Sequence, residues 1–193
     1  MKRFVLTGGH GVGKSSIILA LEQMGEMVIF EAASSVRALE HASGVPFPED
    51  GPRFESMALT LHLQREQALP GSMRRVFLDR GAPDHLAYSR AGRWPLDPDE
   101  INTCLSTKYD AVFIIEPPPA GVPTLDRVEA RFCEQLVHAI EQVYREIGTA
   151  ITWVPYGPCP DRARFILDTV RRGWPEPDNS DEPGGKRRGG REQ

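Results

Sequence analysis

Residues Gly8 to Ser15 read Gly-Gly-His-Gly-Val-Gly-Lys-Ser and fit the spacing G-x-x-x-x-G-K-[ST]. The flanks turn this match into a constraint. Phe4, Val5, Leu6 and Thr7 form a short apolar run of strand type before it, and Ile17, Ile18, Leu21 and Met24 recur at helical spacing after it until Gly25. Strand, glycine loop and helix thus stand in the order that a phosphate cradle needs.

In such a cradle several backbone N–H groups converge on phosphate oxygens, and an inward side chain would block them. Gly8, Gly11 and Gly13 can take positive φ, while the following helix offers its positive N-terminal end. Gly9, His10 and Val12 complete the loop, with His10 read as a variable cradle position and not as a base. Lys14 adds a full positive charge for the β- and γ-phosphates, the Ser15 hydroxyl is a ligand for Mg²⁺, and Ser16 is a neighbouring spare hydroxyl. A plain strand-to-helix turn is the competing reading of a glycine cluster. The eight-residue match in this context outweighs it.

A chain of 193 residues has room for one domain with an ordinary core and for no second catalytic domain. Its formal net charge of −4 provides no general attraction for nucleic acid or anionic membrane. No apolar run is long enough to span a membrane, and the stretch opened by Met1-Lys2-Arg3 breaks at Gly8 and does not read as a signal peptide. Cys104, Cys133 and Cys159 are odd in number and lack C-x-x-C spacing, which argues against a disulfide framework and against a zinc site. The five histidines, His10, His41, His62, His85 and His138, are scattered, with no pair at metal-ligand spacing on one predicted helix. These features predict a cytoplasmic protein without membrane or nucleic-acid partners.

Met27 to Phe30 reads as a second strand, and Glu31 at its carboxyl end precedes a helix carrying Ala32, Ala33, Val36 and Leu39. Glu31 could face the crevice at that sheet edge or simply open the helix, and position alone does not choose. Gly44 to Pro52 is rich in breakers and reads as a loop; Phe54, Met57 and Leu61 then begin a helix that ends near Leu69 and Pro70. The third strand, Val76 to Leu78, delivers Asp79, Arg80 and Gly81 to a strand end. Asp79 can hold Mg²⁺ or accept a substrate hydroxyl, and Arg80 can bind phosphate; a structural Asp79–Arg80 pair is the plainer reading. Pro83 to Tyr88 reads as a short helix, and Asp97-Pro98-Asp99-Glu100 starts another that runs to about Lys108. Thr107-Lys108-Tyr109-Asp110 imitates a guanine-reading motif but precedes strand four, Ala111 to Ile115, and so falls at the wrong end of the sheet. Glu116 closes that strand as a weaker crevice candidate.

From Asp126 a long helix carries Val128, Phe132, Leu136, Ile140, Val143 and Ile147 on one face. Arg127 and Arg131 share a face near its beginning, where they could close over a phosphate or stay solvated. Ile151 to Val154 is the fifth strand and a last helix carries Phe165, Ile166 and Val170. Five strands alternating with helices predict a three-layer α/β domain with a mainly parallel sheet over residues 1–172. Residues 173–193 are predicted to be a disordered charged tail, with a small basic cluster at Lys186 to Arg191.

Taken together, these residues resemble the P-loop ATP-binding domains of AAA-domain type related to nicotinamide riboside kinase, a branch of the nucleoside and nucleotide kinases. The resemblance runs over nearly all of residues 2–172. It rests on Gly8 to Ser15, on Phe30-Glu31-Ala32-Ala33, and on Phe77-Leu78-Asp79-Arg80-Gly81 with Pro83-Asp84 and Ala87-Tyr88. Tyr109-Asp110 and the arginine-bearing helix from Asp126 complete it. It implies a P-loop NTPase fold with sheet order 2-3-1-4-5, ATP with Mg²⁺, and a small acceptor bound across the crevice. It further implies Glu31 as the base toward the acceptor hydroxyl, Asp79 and Arg80 near the metal and phosphates, and Arg127 and Arg131 as lid arginines. The prolines from Pro117 to Pro123 and Ser35, where an arginine is frequent, depart from the pattern.

The leading expectation is therefore an ATP-dependent small-molecule kinase with a nucleoside-like acceptor such as nicotinamide riboside. The alternative is a regulatory ATP- or GTP-binding module that hydrolyses nucleotide without an acceptor. A third reading, phosphorylation of RNA ends, leans only on the basic tail.

Overall fold

A computed structural model of the protein describes residues 1–44, 51–92, 94–119 and 127–174. Among them, β1 (Lys2–Thr7), β2 (Val28–Ile29), β3 (Arg75–Asp79), β4 (Ala111–Ile115) and β5 (Ala150–Val154) form one sheet. The helices are α1 (Lys14–Gln23), α2 (Ala32–Ser43), α3 (Pro52–Gln67), α4 (Ala82–Arg90), α5 (Pro98–Ser106), α6 (Arg127–Glu146) and α7 (Cys159–Gly173). The strand order is β2-β3-β1-β4-β5, and every pairing is parallel. This is the P-loop NTPase architecture with the kinase-type order expected from the sequence.

Alternation along the strands decides which layer each helix joins. Val5, Val76, Leu78, Val112 and Ile114 point to one face and bury against Leu86, Leu136, Ile140 and Val143 of α4 and α6. Phe4, Leu6, Phe77, Phe113 and Ile115 point to the other, against Ile17, Ile18 and Leu21 of α1 and Ile166, Leu167 and Val170 of α7. The central strands are covered on both faces, and so read in sequence as near-continuous apolar runs. Val36 of α2 with Phe54 and Ala58 of α3 forms a small separate cluster. That cluster holds the two helices that wall the site described below.

Because β1 lies between β3 and β4, the chain turns in opposite directions on either side of it, and a crevice opens at the carboxyl ends. The register places Leu6 beside Asp79 and Thr7 beside Ile114, so Gly8, Arg80 and Glu116 all emerge at that edge.

Several local expectations are revised. β2 pairs over only Val28 and Ile29, and both Met27 and Phe30 are exposed beside it. The expected apolar stripe on α2 loses Leu39, which is 63% exposed. The helix expected to reach Lys108 stops at Ser106, because Thr107 is extended. Its start is as expected: Asp97 accepts from the Glu100 N–H at 2.8 Å and Glu100 accepts from the Asp97 N–H at 3.0 Å. Lys108 donates to the Ile147 carbonyl at 3.0 Å, at the amino end of β4 and away from the crevice. The expected loop falls mostly on residues 45–50 and the proline-rich segment mostly on 120–126, both outside the described residues. No described helix is long and apolar enough to cross a membrane.

The domain extends past residue 172. Trp174 donates its N–H to the Val170 carbonyl at 2.8 Å and sets its ring edge-on to Phe4 at 5.2 Å. Residues 175–193, where the rest of the expected tail falls, lie outside the described residues. Trp174→Ala should lower stability by about 1–2 kcal/mol and Tm by about 2–8 °C. Thermal unfolding followed by circular dichroism tests this, and an unchanged Tm would exclude Trp174 from the core.

Candidate functional site

The cradle has the backbone its composition calls for. Gly8 and Gly13 have φ of 138° and 91°, conformations that side chains rarely adopt. A Cβ on Gly8 would meet the Ile115 carbonyl at 2.9 Å, and one on Gly13 would meet Nη2 of Arg162 at 2.8 Å. Gly13 is the N-cap of α1 and supplies no capping side chain, so no side chain of the cap competes with an anion for the helix's first N–H groups. Arg162, buried on α7, donates from Nη1 to the Val12 carbonyl at 2.7 Å and supports the loop from behind.

Lys14 is buried, with Nζ donating to the carbonyls of Gly9 at 2.6 Å and Gly8 at 3.3 Å. Burial, followed by repulsion from Arg80, pulls its ammonium down to about 7 against the attraction of Asp79, Glu31 and Asp84. An anion in the cradle supplies the charge that this lysine otherwise lacks.

Asp79 and Arg80 arrive together at the end of β3. The Ser15 hydroxyl donates to Asp79 Oδ2 at 2.7 Å, while buried Oδ1 has no hydrogen-bond partner among the described residues. Burial pushes the Asp79 carboxyl up, against the Ser15 hydrogen bond and the charge of Arg80. A hydroxyl and a carboxylate with one oxygen unsatisfied are hard donors that fit Mg²⁺. Arg80 does not pair with its neighbour Asp79, as the plainer reading had it. Its φ of 73° turns the guanidinium to Glu31, with Nε 2.8 Å from Oε1, and lays it over the Tyr88 ring at 5.0 Å.

Glu31 stands at the N-cap of α2, with its carboxylate accepting from the Ser34 hydroxyl at 2.9 Å. Burial opposes its ionisation, but the charge and hydrogen bond of Arg80 outweigh burial and hold the carboxyl down at about 2. Arg65 of α3 fixes the backbone there, donating to the Phe30 carbonyl at 2.8 Å and to the Ser35 hydroxyl at 2.6 Å. Ser35, the departure from the family pattern, thus serves as an acceptor for an arginine from another helix.

A cavity of about 500 Å³ joins these groups. Its lining includes Lys14, Ser15 and His10, Glu31, Arg37 and Phe54, and Arg80, His85, Tyr88 and Trp94, whereas Asp79 lies behind it. Gly11 and Asp84 are also on its wall; Gly9, Val12 and Ser16 are not, and Ser16 is exposed. Arg131 is exposed on α6 and is not part of the lining, and the Arg127 side chain lies outside the described residues. From that helix Glu129 reaches the wall instead, and it bonds to His10 Nδ1. Glu116 accepts from the Tyr156 N–H at 3.3 Å, outside the cavity.

Sequence reasoning missed four contributors. Asp84, wholly buried, accepts from the Thr7 hydroxyl, from the Gly81 N–H at 2.9 Å and from the Tyr144 hydroxyl at 2.7 Å. It appeared only as a letter in the string that follows β3. Arg162 lies 150 positions from the loop it supports, and no local signal marks it. Glu129 and Cys133 are four apart on α6, a spacing visible in sequence, but only the fold shows which face meets the loop.

A family model described as AAA domain matches residues 3–162. The chain belongs to this AAA domain family. The match runs from β1 to Arg162 and so takes in every cradle and cavity residue named above. No curated protein matches the chain. Among solved structures, NadR protein in complex with NAD and AMP-PNP aligns with a TM-score of 0.64 and 19% identity, covering 89% of this AAA domain chain and 49% of NadR. NadR in complex with NR aligns at 0.66 and 17%, covering 89% and 50%. The chain therefore spans about half the length of these NadR chains. Deoxyadenosine kinase from M. mycoides aligns at 0.58 and 14%, covering 88% of this chain and 99% of that one. These likenesses establish a P-loop kinase-like fold.

A polyphosphate in the cradle should raise the Lys14 ammonium from about 7, so that binding takes up a proton above that pH. Affinity is then greatest below pH 7 and falls as pH rises through it. Calorimetry with inorganic triphosphate at pH 8, in buffers of different ionisation enthalpy, should show uptake approaching about one proton, lost in Lys14→Met. Equal uptake by both proteins would place the titrating group elsewhere.

Proposed function

We propose that this chain is a Mg²⁺- and ATP-dependent kinase that moves the γ-phosphoryl group of ATP to a hydroxyl of a small, nucleoside-like molecule. The carrying observation is one cavity lined both by P-loop residues, His10, Gly11, Lys14 and Ser15, and by the Glu31–Arg80 pair with Phe54, Tyr88 and Trp94. Donor and acceptor would thereby share one space. The bound species named for the similar folds, AMP-PNP and NR in NadR and dCMP in deoxyadenosine kinase, support a nucleotide donor and a nucleoside-sized acceptor.

The backbone amides of Gly8 to Gly13 and the start of α1 orient the phosphates. Lys14 Nζ exchanges the carbonyls of Gly8 and Gly9 for β- and γ-phosphate oxygens. Ser15 Oγ and Asp79 would hold Mg²⁺, which when bound neutralises charge on the β- and γ-oxygens. Glu31 accepts a hydrogen bond from the acceptor hydroxyl and orients it in line with the γ-phosphorus. A bond from the acceptor oxygen to that phosphorus forms as the bridging bond to the β-phosphate breaks, ADP leaves, and the hydroxyl proton passes to Glu31 and then to solvent. With its carboxyl near 2, Glu31 is a weak base. It therefore takes the proton late, when the acceptor oxygen is already bonding to phosphorus, which suits a loose transition state. Arg80 Nη1 is buried without a hydrogen-bond partner among the described residues and faces Asp84 Oδ1 as an ion pair at 3.6 Å, which keeps the guanidinium charged beside the transferring group.

ATP consumption with Mg²⁺ across a panel of nucleosides and small alcohols, with mass detection of products, tests the assignment. A product heavier by one phosphate is expected; slow hydrolysis indifferent to every acceptor would instead support the regulatory reading. Lys14→Ala should abolish turnover with the fold intact. Glu31→Gln should lower kcat by about 10²–10⁴-fold with KM for ATP little changed. Unaltered transfer in Glu31→Gln would return Glu31 to a helix-start role.

A further inference from the structure

His10 is the one P-loop side chain with a ring that the phosphate chemistry leaves unused. Its Nδ1 meets the Glu129 carboxylate, and its backbone N–H donates to Cys133 Sγ at 3.2 Å. One ligand atom each from His10, Glu129 and Cys133 lies within 4.8 Å of the other two. Glu129 and Cys133 are one turn apart on α6, so a single helix face presents both to the loop. We propose that His10, Glu129 and Cys133 form a binding site for a borderline-soft divalent cation such as Zn²⁺, separate from the hard-oxygen pair Ser15 and Asp79.

The donor set selects the ion. An imidazole nitrogen, a thiolate and a carboxylate suit Zn²⁺, whereas Mg²⁺ takes oxygen donors and keeps its waters. Donors around a tetrahedral Zn²⁺ stand about 3.3–3.8 Å apart, so closure by about 1 Å completes the protein's share of the shell. The fourth position opens toward the cavity, since both His10 and Glu129 line it.

A ligand histidine also needs a partner for its other nitrogen. His10 Nε2 lies 2.7 Å from the Tyr88 hydroxyl, so the tautomer with Nε2–H donating to Tyr88 leaves the Nδ1 lone pair for a metal. Tyr88 is itself held, stacked on His10 at 5.9 Å and covered by Arg80 at 5.0 Å. Gly9 lets the helix approach: a Cβ there would meet Cys133 Cβ at 3.2 Å. On binding, the Cys133 thiol releases its proton to solvent and the thiolate bonds to the ion. The ion then ties the tip of the P-loop to α6, two segments far apart in sequence.

The test uses the full chain, Co²⁺ as spectroscopic probe and no nucleotide, so its outcome is independent of the kinase assignment. One equivalent of Co²⁺ should produce an intense thiolate-to-cobalt absorption band that Zn²⁺ displaces and excess Mg²⁺ does not. Zn²⁺ should also raise Tm in proportion to its saturation. Cys133→Ser should remove the band, Glu129→Gln and Tyr88→Phe should each weaken binding about 10–100-fold, and Cys104→Ser or Cys159→Ser should leave the band in place. Absence of the band in the saturated wild-type chain, or its survival in folded Cys133→Ser, overturns the site. Should Cys133→Ser fail to fold, Glu129→Gln decides: unchanged affinity there overturns the site equally.

Discussion

A carboxylate with no exposure at all, that of Asp84, fixes the geometry on which the site depends. Thr7 at the end of β1, Gly81 at the start of α4 and Tyr144 of α6 all donate to it, and Arg80 Nη1 lies 3.6 Å away. A buried charge is tolerated only when paired and hydrogen-bonded, so these four partners are held to one arrangement. The arrangement leaves no slack. A Cβ on Gly81 would come within 2.7 Å of the Tyr144 hydroxyl and 3.0 Å of Val5. Arg80 accordingly accepts a left-handed backbone and aims at Glu31 across the crevice, not at Asp79 beside it.

Two cations and three carboxylates share this small volume: Lys14 and Arg80 with Glu31, Asp79 and Asp84. Lys14 leans on the loop carbonyls of Gly8 and Gly9, and burial together with repulsion from Arg80 makes its charged form costly. Arg80 is surrounded by Tyr88, Glu31 and Asp84 and stays charged despite its burial. Asp79 keeps one oxygen unsatisfied beside the Ser15 hydroxyl. Lys14 and Arg80 therefore differ in kind, one cation held by neutral carbonyls and the other already paired with carboxylates.

The sequence was most legible where function is local. The loop from Gly8 to Ser15 could be read directly because its chemistry resides in backbone conformation and in residues next to one another. The layers could be read because strands buried on both faces must be apolar throughout. Legibility failed where a role depends on what approaches from elsewhere in the chain. Arg80 sits next to Asp79 in sequence, and pairing between them was the simplest reading, but positive φ turns the guanidinium away. Charge and spacing drew attention to Arg131 on α6, and the fold shows in addition that this helix turns Glu129 and Cys133 to the loop. The odd, scattered cysteines and histidines argued against a zinc site, and the convergence of His10, Glu129 and Cys133 is invisible until α6 is laid against β1 and its loop.

What the sequence determined by itself was the parallel α/β fold and the phosphate cradle, since both follow from periodicity and from a contiguous run of residues with one physical use. Only the tertiary structure decided which charges meet. Glu31, Arg80, Glu129 and Arg162 come from four segments, and their partners depend on register, helix rotation and one unusual φ. Electrostatic interaction falls off with distance in space and is indifferent to separation along the chain, so no spacing rule could have paired them.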